Sequence, residues 1–474
     1  MEKRNLQAVL IMVVLVMAAA LGIHIIYTLN NASLRTSITD RRDGNELKIP
    51  VQLEDTNPDP GVADYVLTAQ TGRTSFINEL PASTLGYNGT YLGPVLRFRQ
   101  GEKVNIRVDN NLSFATTIHW HGLVVDGDQD GGPHQGIRPG ESWSPSFMVD
   151  QPAATLWYHP HLMGNTADQV YYGLAGLIYI DDEISSRLAI PKDYGQNDYP
   201  LIIQDRSFKR DGNFDYRTSM MGVTPGDLIL VNGTVDPYLN VNREPVRLRI
   251  LNASNSQNFY LRLSDGSSFQ QIASDGGFLG SPLTKSDLFL APGERAEIIV
   301  DFSTIERDSL VLMNGNRAIL DFNLSGPVSN GRVELPRSLR TLPEIPIGAN
   351  PKTRVFELAS MGINGTINGR YFDMDRIDEE VNSDETEIWI IRNIGGMMQP
   401  GGHPFHVHGT QFQVMARNGQ EPPPQERGFK DTVYVDLGEE VAIKVRFTHK
   451  GLYMYHCHIL EHEDGGMMGQ FRVQ

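Results

Sequence analysis

The segment that decides both the fold and the chemistry of this chain lies near its C-terminus and reads His456-Cys457-His458-Ile459-Leu460-Glu461-His462-Glu463-Asp464-Gly465-Gly466-Met467. It contains the only cysteine among 474 residues. Because successive side chains of a strand point to opposite faces, Cys457 faces one way while His456 and His458 face the other. The segment therefore predicts two different metal sites placed back to back, with one thiolate joining them.

The cysteine side of this segment carries the ligands of a blue-copper site. Two imidazoles, one thiolate and a distant thioether form the ligand set that suits copper in electron transfer. Cys457 supplies the thiolate, His462 one imidazole and Met467 the weak axial sulfur. His403 is the best candidate for the second imidazole, because it begins the histidine-rich run that ends at Gly409.

A second pattern, histidine-x-histidine, occurs four times, as His119-Trp120-His121, His159-Pro160-His161, His406-Val407-His408 and His456-Cys457-His458. In extended backbone each pair presents both rings on one face, about 7 Å apart. Of the 13 histidines, only His24, His134 and His449 lie outside these runs and the cysteine-side site. Buried imidazoles need hydrogen-bond partners, so clustering them brings no advantage to packing alone. The four pairs predict eight imidazoles converging on a cluster of metal ions.

These motifs resemble the ligand motifs of the multicopper oxidases, the family of laccases, bilirubin oxidases and bacterial copper efflux oxidases. The His-Cys-His-x3-His-x4-Met and His-Pro-x-His-x-His runs carry the resemblance, which extends over essentially everything after residue 50. Within the family, the His-Trp-His-Gly-Leu motif and the Glu-His-Glu-Asp-x-Gly-Met-Met motif resemble those of the periplasmic copper efflux oxidases most strongly. The resemblance implies four copper ions: one type 1, one type 2 and a type 3 pair.

The resemblance also assigns ligands to each ion. It gives the type 1 ion to His403, Cys457, His462 and Met467. The three-ion cluster takes eight imidazoles in three sets, namely His119 and His406 for the type 2 ion, His121, His159 and His458 for one type 3 ion, and His161, His408 and His456 for the other. No ligand position of the family is missing.

Two carboxylates, Asp130 and Glu463, match residues with which the family delivers protons to oxygen. Reduction of dioxygen to water consumes four protons inside a walled site, and carboxylates are suitable relays. The alternative for Asp130 is a turn residue before Gly131-Gly132. Together with Cys457, which carries electrons between the two sites, these two residues are the predicted catalytic groups.

The remaining sequence predicts an all-β fold. Turn signals recur at Asn88-Gly89, Asn232-Gly233, Asn364-Gly365 and Asn368-Gly369, and residues 104–108 alternate apolar with polar. The resemblance implies three cupredoxin-like Greek-key β-barrel domains, and the chain divides accordingly into residues 48–183, 198–328 and 352–474. The middle domain holds no ligand, and a proline-rich linker from 326 to 352 precedes the last.

The N-terminus predicts a membrane segment. Residues 8–29 form a run without Asp, Glu, Lys or Arg. This run is long enough for a membrane-spanning helix and longer than the usual apolar core of a cleaved signal peptide. We expect residues 1–30 to form an anchor or signal helix and residues 31–47 a polar tether. By the positive-inside rule, the Lys and Arg residues that flank this segment would place its C-terminal side in the cytoplasm. Large folded domains, however, translocate largely regardless of such charges. The predicted location is extracytoplasmic, either anchored or, after cleavage, periplasmic or secreted.

A formal charge of −16 argues against nucleic acid as a partner and mildly favours cationic substrates. The expected partners are dioxygen and a small reducing substrate, namely a phenol, an aromatic amine or Cu(I). We predict a laccase-type oxidase of phenols and aromatic amines, because the stretch from 326 to 402 lacks the long methionine-rich insert of the copper efflux enzymes.

Two alternatives stay open. One is a cuprous or other metal-ion oxidase in copper tolerance, with Met397 and Met398 forming a soft Cu(I) site, joined by Asp373 or Met374. Such a methionine pair is also common as core filling. The other, from a different class, is a copper-sequestering protein or a copper-free scaffold on the same fold.

Overall fold

The structure is a computed structural model that describes residues 44–77, 79–219, 222–329, 331, 334–397 and 401–474. The predicted N-terminal hydrophobic helix at residues 1–30 lies outside the described residues, as does the predicted tether up to residue 43. In the part of the chain that is described, no helix has both the length and the apolar character to cross a membrane. The chain divides into two units, Met1–Asn45 and Glu46–Gln474, and the second contains every site discussed below.

Strands between residues 62 and 181 form a first pair of sheets. One sheet contains β2 (Val62–Ile77), β3 (Leu80–Tyr87), β5 (Lys103–Asn110), β7 (Ser142–Trp143) and β8 (Ser146–Met148), and the other contains β4 (Leu96–Arg99), β6 (His119–His121), β9 (Ala154–His159) and β10 (Gly176–Asp181). The predicted alternation appears in β5, where Val104, Ile106 and Val108 are buried in the core that the two sheets share. Their neighbours point outward, as period-two patterning requires.

Strands between residues 198 and 325 form a second pair of sheets. The larger sheet contains β11 (Asp198–Arg206), β14 (Leu228–Val231), β15 (Thr234–Val235), β17 (Pro245–Asn252), β19 (Phe269–Ser274), β20 (Gly277–Lys285) and β22 (Arg295–Asp301), and the smaller contains β16 (Pro237–Asn242), β18 (Phe259–Leu263), β21 (Leu288–Leu290), β23 (Ser309–Asn314) and β24 (Arg317–Ser325). The short strand β1 (Asn45–Glu46) joins the smaller sheet beside β16, whereas β12 (Thr218–Ser219) and β13 (Gly222–Val223) pair only with each other.

A third pair of sheets is built from residues 353–473. One sheet contains β25 (Thr353–Met361), β26 (Asn364–Ile367), β28 (Thr386–Met397), β30 (Phe412–Arg417), β31 (Phe429–Lys430) and β33 (Glu440–Arg446), and the other contains β27 (Glu379–Val381), β29 (His403–Val407), β32 (Thr432–Val435), β34 (Gly451–Cys457) and β35 (Met468–Val473). Helices among the described residues are short, namely α1 (Thr166–Tyr172), α2 (Glu183–Arg187), α3 (Leu460–Asp464) and a 3-10 turn at Pro424–Glu426.

The three sheet pairs share one topological feature. Each of the six sheets contains a parallel pair of strands among otherwise antiparallel neighbours: β2 with β5, β4 with β10, β11 with β17, β16 with β24, β25 with β28, and β27 with β35. Each sheet pair also encloses its own apolar core. The same arrangement therefore occurs three times along the chain.

Two local expectations need correction. Leu47, assigned to the end of the tether, is 4% exposed and lies in the core of the second sheet pair, with its N–H 2.8 Å from the carbonyl of Tyr238. Asn364-Gly365 does not form a turn, because both residues belong to β26. At this position the absence of a side chain serves packing, since a Cβ on Gly365 would lie 2.6 Å from the Cβ of Met467.

Candidate metal centre

The cysteine side of the C-terminal segment forms a compact site in the third sheet pair. The Sγ of Cys457 lies 3.4 Å from Nδ1 of His403 and 3.7 Å from Nδ1 of His462. Strand β34 ends at Cys457 and pairs with β29, which begins at His403, while α3 carries His462. The three predicted ligands therefore come from two paired strands and the helix that follows them.

These separations fit a single metal ion. Bonds of about 2.3 Å to sulfur and about 2.0–2.1 Å to imidazole nitrogen put the two ligand atoms about 3.1–3.8 Å apart for bond angles between 90° and 120°. Both sulfur–nitrogen distances, 3.4 and 3.7 Å, fall inside that range. A thiolate with two imidazoles is also a donor set that suits copper.

Met467 completes the surroundings of this site. Its side chain is fully buried, and its backbone carbonyl accepts a 3.0 Å hydrogen bond from the Cys457 N–H. Gly365 lies directly against it, since a Cβ there would be 3.1 Å from the Met467 sulfur. Strand β26 and the Cys457 backbone thus hold the thioether close to the site.

The eight paired imidazoles meet between the first and third sheet pairs. Register brings His119 opposite His159 in β6 and β9, and His406 opposite His456 in β29 and β34. Across the boundary between the sheet pairs the rings stack with centroids 3.7 Å apart, His119 on His408 and His121 on His406. Within each histidine-x-histidine pair the ring centroids are 4.9–6.2 Å apart. All eight side chains are buried.

Three groups within this cluster bring their ligand atoms within 4.8 Å of one another. They are His119 with His121 and His406, His121 with His159 and His458, and His161 with His408 and His456. The second and third groups coincide with the two predicted type 3 sets. The pair predicted for the type 2 ion, His119 and His406, occurs in the first group.

The protonation pattern of the third group indicates a cation. Nδ1 of His408 lies 2.7 Å from a carboxylate oxygen of Asp130, and Nδ1 of His456 lies 3.1 Å from the Cys457 carbonyl, so both rings carry their proton on Nδ1. Their Nε2 lone pairs then face each other at 3.2 Å, and Nε2 of His161 is 3.1 Å from that of His456. Converging lone pairs repel unless a positive ion lies between them. The residues present therefore fit a bound metal.

Three other rings also direct Nδ1 towards the protein and leave Nε2 facing the cluster. Nδ1 of His119, His159 and His406 bonds the carbonyls of Asp130, Pro160 and Asp431, respectively, at 3.0, 2.7 and 2.8 Å. The Nε2 atoms of these three rings are buried without a protein partner. A ring whose outer nitrogen donates to the protein offers its inner lone pair to a metal.

Burial keeps the imidazoles in the neutral form that ligates metals. It lowers the pKa of His462 to about 4, and it lowers the pKa values of His403 and His456 to about 3. Burial also lowers the pKa values of six other cluster rings well below the ordinary value, and neighbouring imidazoles add to the effect; these are His121, His159, His161, His406, His408 and His458. Burial raises the pKa of the Cys457 thiol, so binding a metal there must displace the thiol proton.

The two predicted proton-relay carboxylates both contact the third group. Asp130 is buried, with one oxygen 2.7 Å from Nδ1 of His408 and 3.4 Å from Nδ1 of His119. Glu463 is buried on the other side, 3.4 Å from Nδ1 of His161 and 3.2 Å from Nδ1 of His456. Burial raises the pKa of Glu463 well above its ordinary value. Asp130 follows β6 in a loop rather than lying at an exposed turn.

The sequence analysis assigned no role to two further carboxylates, of which Asp431 contacts the cluster and Asp464 follows Glu463 in α3. Asp431 lies 3.0 Å from Nε2 of His121, and its carboxylate is paired with Arg295 of the second sheet pair. Asp464 accepts from the N–H groups of Thr166 and Ala167 at the start of α1. The only local signal for Asp431 is a charged residue at the entry to an apolar strand, and no signal links it to Arg295.

Among the remaining candidate ligands, Met374 has another role. Met374 packs with Phe372, Met454 and Met468 in a small apolar group, which is the core-filling role. Met398 and the side chain of Met397 lie outside the described residues, so the predicted Cu(I) site falls there too. His134 and His449 bond Gln470 and Thr448 instead, and His24 also lies outside the described residues.

Comparison with solved structures and curated proteins places this geometry among known proteins. A laccase from Pediococcus acidilactici superposes with a TM-score of 0.88 at 38% identity, covering 91% of this chain and 94% of that one. Multicopper oxidase mco of Staphylococcus haemolyticus is 42% identical over 93% of this chain and 95% of its own length. Cell division protein FtsP of Escherichia coli is 36% identical over 90% of this chain and 92% of its own length.

Family models agree with these relatives and with the site. Two models described as multicopper oxidase match residues 68–185 and 340–474, which are the two regions that contribute all the clustered imidazoles. The predicted family and the mostly-β, cupredoxin-type fold are thereby confirmed. With its relatives spanning nearly its full length, this chain belongs to the multicopper oxidase family.

Proposed function

We propose that the chain is a laccase-type oxidase that couples one-electron oxidation of phenols or aromatic amines to the four-electron reduction of dioxygen to water. The observation that supports it most strongly is the set of eight buried imidazoles whose lone pairs converge next to Cys457. Four copper ions would be held, one by His403, Cys457, His462 and Met467 and three by the eight imidazoles. Bound copper would supply the one-electron redox chemistry that organic side chains lack.

The chain itself contributes the connection between the two sites. Cys457 lies between His456 and His458 in sequence, so covalent bonds join the mononuclear site to two different groups of the cluster. Asp130 and Glu463 hold imidazole protons on the cluster's outer side and are placed to pass the four protons that water formation requires. Burial of both sites separates the reductant from oxygen.

The choice of an aromatic reductant rests on the surface near His462. The hairpin between β25 and β26 packs on the helix that carries this residue, and Met361 and Tyr371 beside it are 50% and 54% exposed. A Cβ on Gly466 would lie 2.8 Å from the Tyr371 ring, which puts that ring against the same loop. Exposed apolar surface at an electron-entry site favours apolar aromatic substrates.

Two further parts of the proposal concern the domain organisation and the location of the chain. The thrice-repeated sheet arrangement supports three cupredoxin-like domains at 48–183, 198–328 and 352–474, with the amendment that Leu47 belongs to the second core. The uncharged run at 8–29 supports an exported or membrane-anchored chain that works outside the cytoplasm. Fractionation of cells with an antibody against the chain would test the location.

The direct test is a copper count and electron paramagnetic resonance spectrum of the purified, copper-loaded chain, followed by oxygen uptake with a substrate panel. We expect four copper ions per chain and faster oxygen uptake with a dimethoxyphenol than with Cu(I). Faster uptake with Cu(I), or phenol oxidation that requires added Cu(II), would favour the metal-ion oxidase with a labile site near Met397 and Met398.

The similarity to cell-division proteins supports a second candidate from another class, a copper-sequestering protein or a copper-free scaffold. The convergent lone pairs of His161, His408 and His456 argue against a copper-free role, because they would repel without a cation. Full copper loading without any oxygen uptake would favour sequestration. Absence of bound copper would favour the scaffold and would overturn the oxidase proposal.

A further inference from the structure

A third buried carboxylate contacts an imidazole that the carboxylates of Asp130 and Glu463 do not reach. Asp431 is fully buried just before β32, and its Oδ1 lies 3.0 Å from Nε2 of His121. Its main-chain carbonyl accepts from Nδ1 of His406 at 2.8 Å. One residue of the third sheet pair therefore orients one ring from each of the two sheet pairs that form the cluster.

The contact with Asp431 selects which nitrogen of His121 faces the cluster. A ring that donates Nε2–H to a carboxylate leaves Nδ1 as its lone-pair atom. Nδ1 of His121 is buried without a protein partner, whereas His119, His159 and His406 leave Nε2 free instead. His121 is therefore used in the opposite sense to these three rings. Its orientation depends on the carboxylate and on the Thr432 hydroxyl, which lies 3.2 Å from the same Nε2 and itself donates to Asp431.

Arg295 fixes that position from outside the two ligand-bearing sheet pairs. It belongs to β22 of the second sheet pair and is 1% exposed. Its Nη1 and Nη2 reach the two oxygens of Asp431 at 2.7 and 2.6 Å, in the bidentate geometry that a guanidinium offers a carboxylate. Gln411 adds a third donor to the same carboxylate at 2.7 Å.

The guanidinium of Arg295 is itself held by hydrogen bonds to three backbone carbonyls. Besides Asp431, its Nε donates to the carbonyl of Thr155 at 3.1 Å, Nη1 to that of Gly293 at 3.0 Å and Nη2 to that of Asp275 at 3.0 Å. These contacts use all five N–H donors of arginine. They join backbone from the first and second sheet pairs to a side chain of the third. A lysine, with a single nitrogen, has no equivalent arrangement.

We infer that Arg295 is a positioning residue of the metal cluster, acting through Asp431 to hold His121 with Nδ1 directed at its metal. The sheet pair that supplies no ligand thereby sets the geometry of the cluster. The inference rests on the proposed copper function, and it deepens that function by assigning the middle of the chain a part in it. Arg295 touches no reacting atom, so its effect must appear in the metal site before it appears in turnover.

The second sheet pair also offers a matched control. Arg249 is equally buried and makes an equally close bidentate pair with Asp198, at 2.8 and 2.7 Å. Its Nη1 also reaches Thr155, so it too bridges to the first sheet pair. It contacts no imidazole of the cluster. Arg249→Lys therefore removes a buried bidentate arginine–carboxylate pair without changing any contact of His121.

The experiment compares wild type, Arg295→Lys and Arg249→Lys as full chains loaded with copper under identical conditions. Copper per chain, the blue absorption and the electron paramagnetic resonance spectrum are measured. We expect Arg295→Lys to keep the blue absorption of the Cys457 site but to lose at least one cluster ion or change the cluster spectrum. Arg249→Lys should match wild type in both. An Arg295→Lys protein with wild-type copper content and spectrum would overturn the inference.

Asp431→Asn serves if Arg295→Lys does not fold, because the amide keeps the shape of the carboxylate and loses its charge. It should give the same selective change in the cluster, and a wild-type spectrum would again overturn the inference. Histidine labelled with nitrogen-15 provides a readout in the copper-free chain, where the Nε2–H resonance of one ring should shift in the Arg295 variant because its carboxylate acceptor moves. Wild type that binds no copper would instead refute the proposed function, and the inference with it.

Discussion

The close contact between Gly365 and Met467 yields a specific prediction for Gly365→Ala. The added Cβ would lie 2.6, 3.0 and 3.1 Å from Cβ, Cγ and Sδ of Met467. Rotation of the flexible methionine side chain relieves the last two contacts but not the first, because Cβ is fixed to the backbone. Either β26 or the chain at Met467 must therefore move, and the thioether moves with it.

The magnitude follows from two opposing effects. Overpacking a buried site costs about 1–3 kcal/mol. Replacing glycine by alanine in extended backbone restricts the unfolded chain and returns about 0.4–1 kcal/mol. We expect a net loss of about 0–2.6 kcal/mol in the free energy of unfolding, together with a shifted blue absorption and an unchanged number of cluster copper ions.

The assay combines thermal unfolding, visible absorption and a copper count on the same preparation. Gly401→Ala is the matched control, because a Cβ there meets nothing within 4 Å although the residue lies only two positions from His403. That control should keep the wild-type absorption and lose no stability, with a gain of about 0.4–1 kcal/mol from the restricted unfolded chain. A Gly365→Ala protein with wild-type stability and an unshifted absorption would refute the claim that this glycine is required by the position of Met467.

Three other outcomes are expected. Cys457→Ser should remove the blue absorption, nearly all turnover and one copper ion per chain. The cluster ions should stay, because the eight imidazoles face away from the thiol. A copper count showing loss of the cluster ions as well would contradict the back-to-back arrangement. Removing copper with a chelator should lower the melting temperature, since a ligand at about 100 times its dissociation constant stabilises by about 2.7 kcal/mol per site; equal melting of both forms would argue against bound copper. Arg249→Met should cost about 3–5 kcal/mol by leaving the buried Asp198 carboxylate without its bidentate partner and with only Arg247, 3.9 Å away. The control Arg187→Met, at a side chain 76% exposed, should stay within about 0.5 kcal/mol, and equal denaturation midpoints of the two variants would contradict this.

Much of the candidate site follows from local patterns. Strand alternation places Cys457 opposite His456 and His458, and the structure has the thiol 3.4 Å from His403 while both rings lie in the imidazole cluster. The all-β character likewise follows from turn signals and period-two patterning. Such predictions succeed because alternation is a property of the extended backbone itself and does not depend on what the strand packs against.

Local patterns fail where a distant residue decides the outcome. Asn364-Gly365 has the composition of a hairpin turn, yet both residues belong to a strand in which Gly365 makes room for Met467, 102 positions further along the chain. Leu47 likewise looks like part of a polar segment but is buried in a core built from residues after 198. Neither contact has a signature in the neighbouring sequence.

The sequence by itself determined the kinds of ligand, their pairing along strands and the thiolate between two sites, since these depend on residue type and backbone period alone. Only the tertiary structure decided which rings stack across the boundary between sheet pairs, and that Arg295 reaches Asp431 across 136 positions of chain. The physical reason is that docking of separately formed sheets brings together surfaces whose sequence separation is large. Backbone periodicity carries no information about which surfaces will meet.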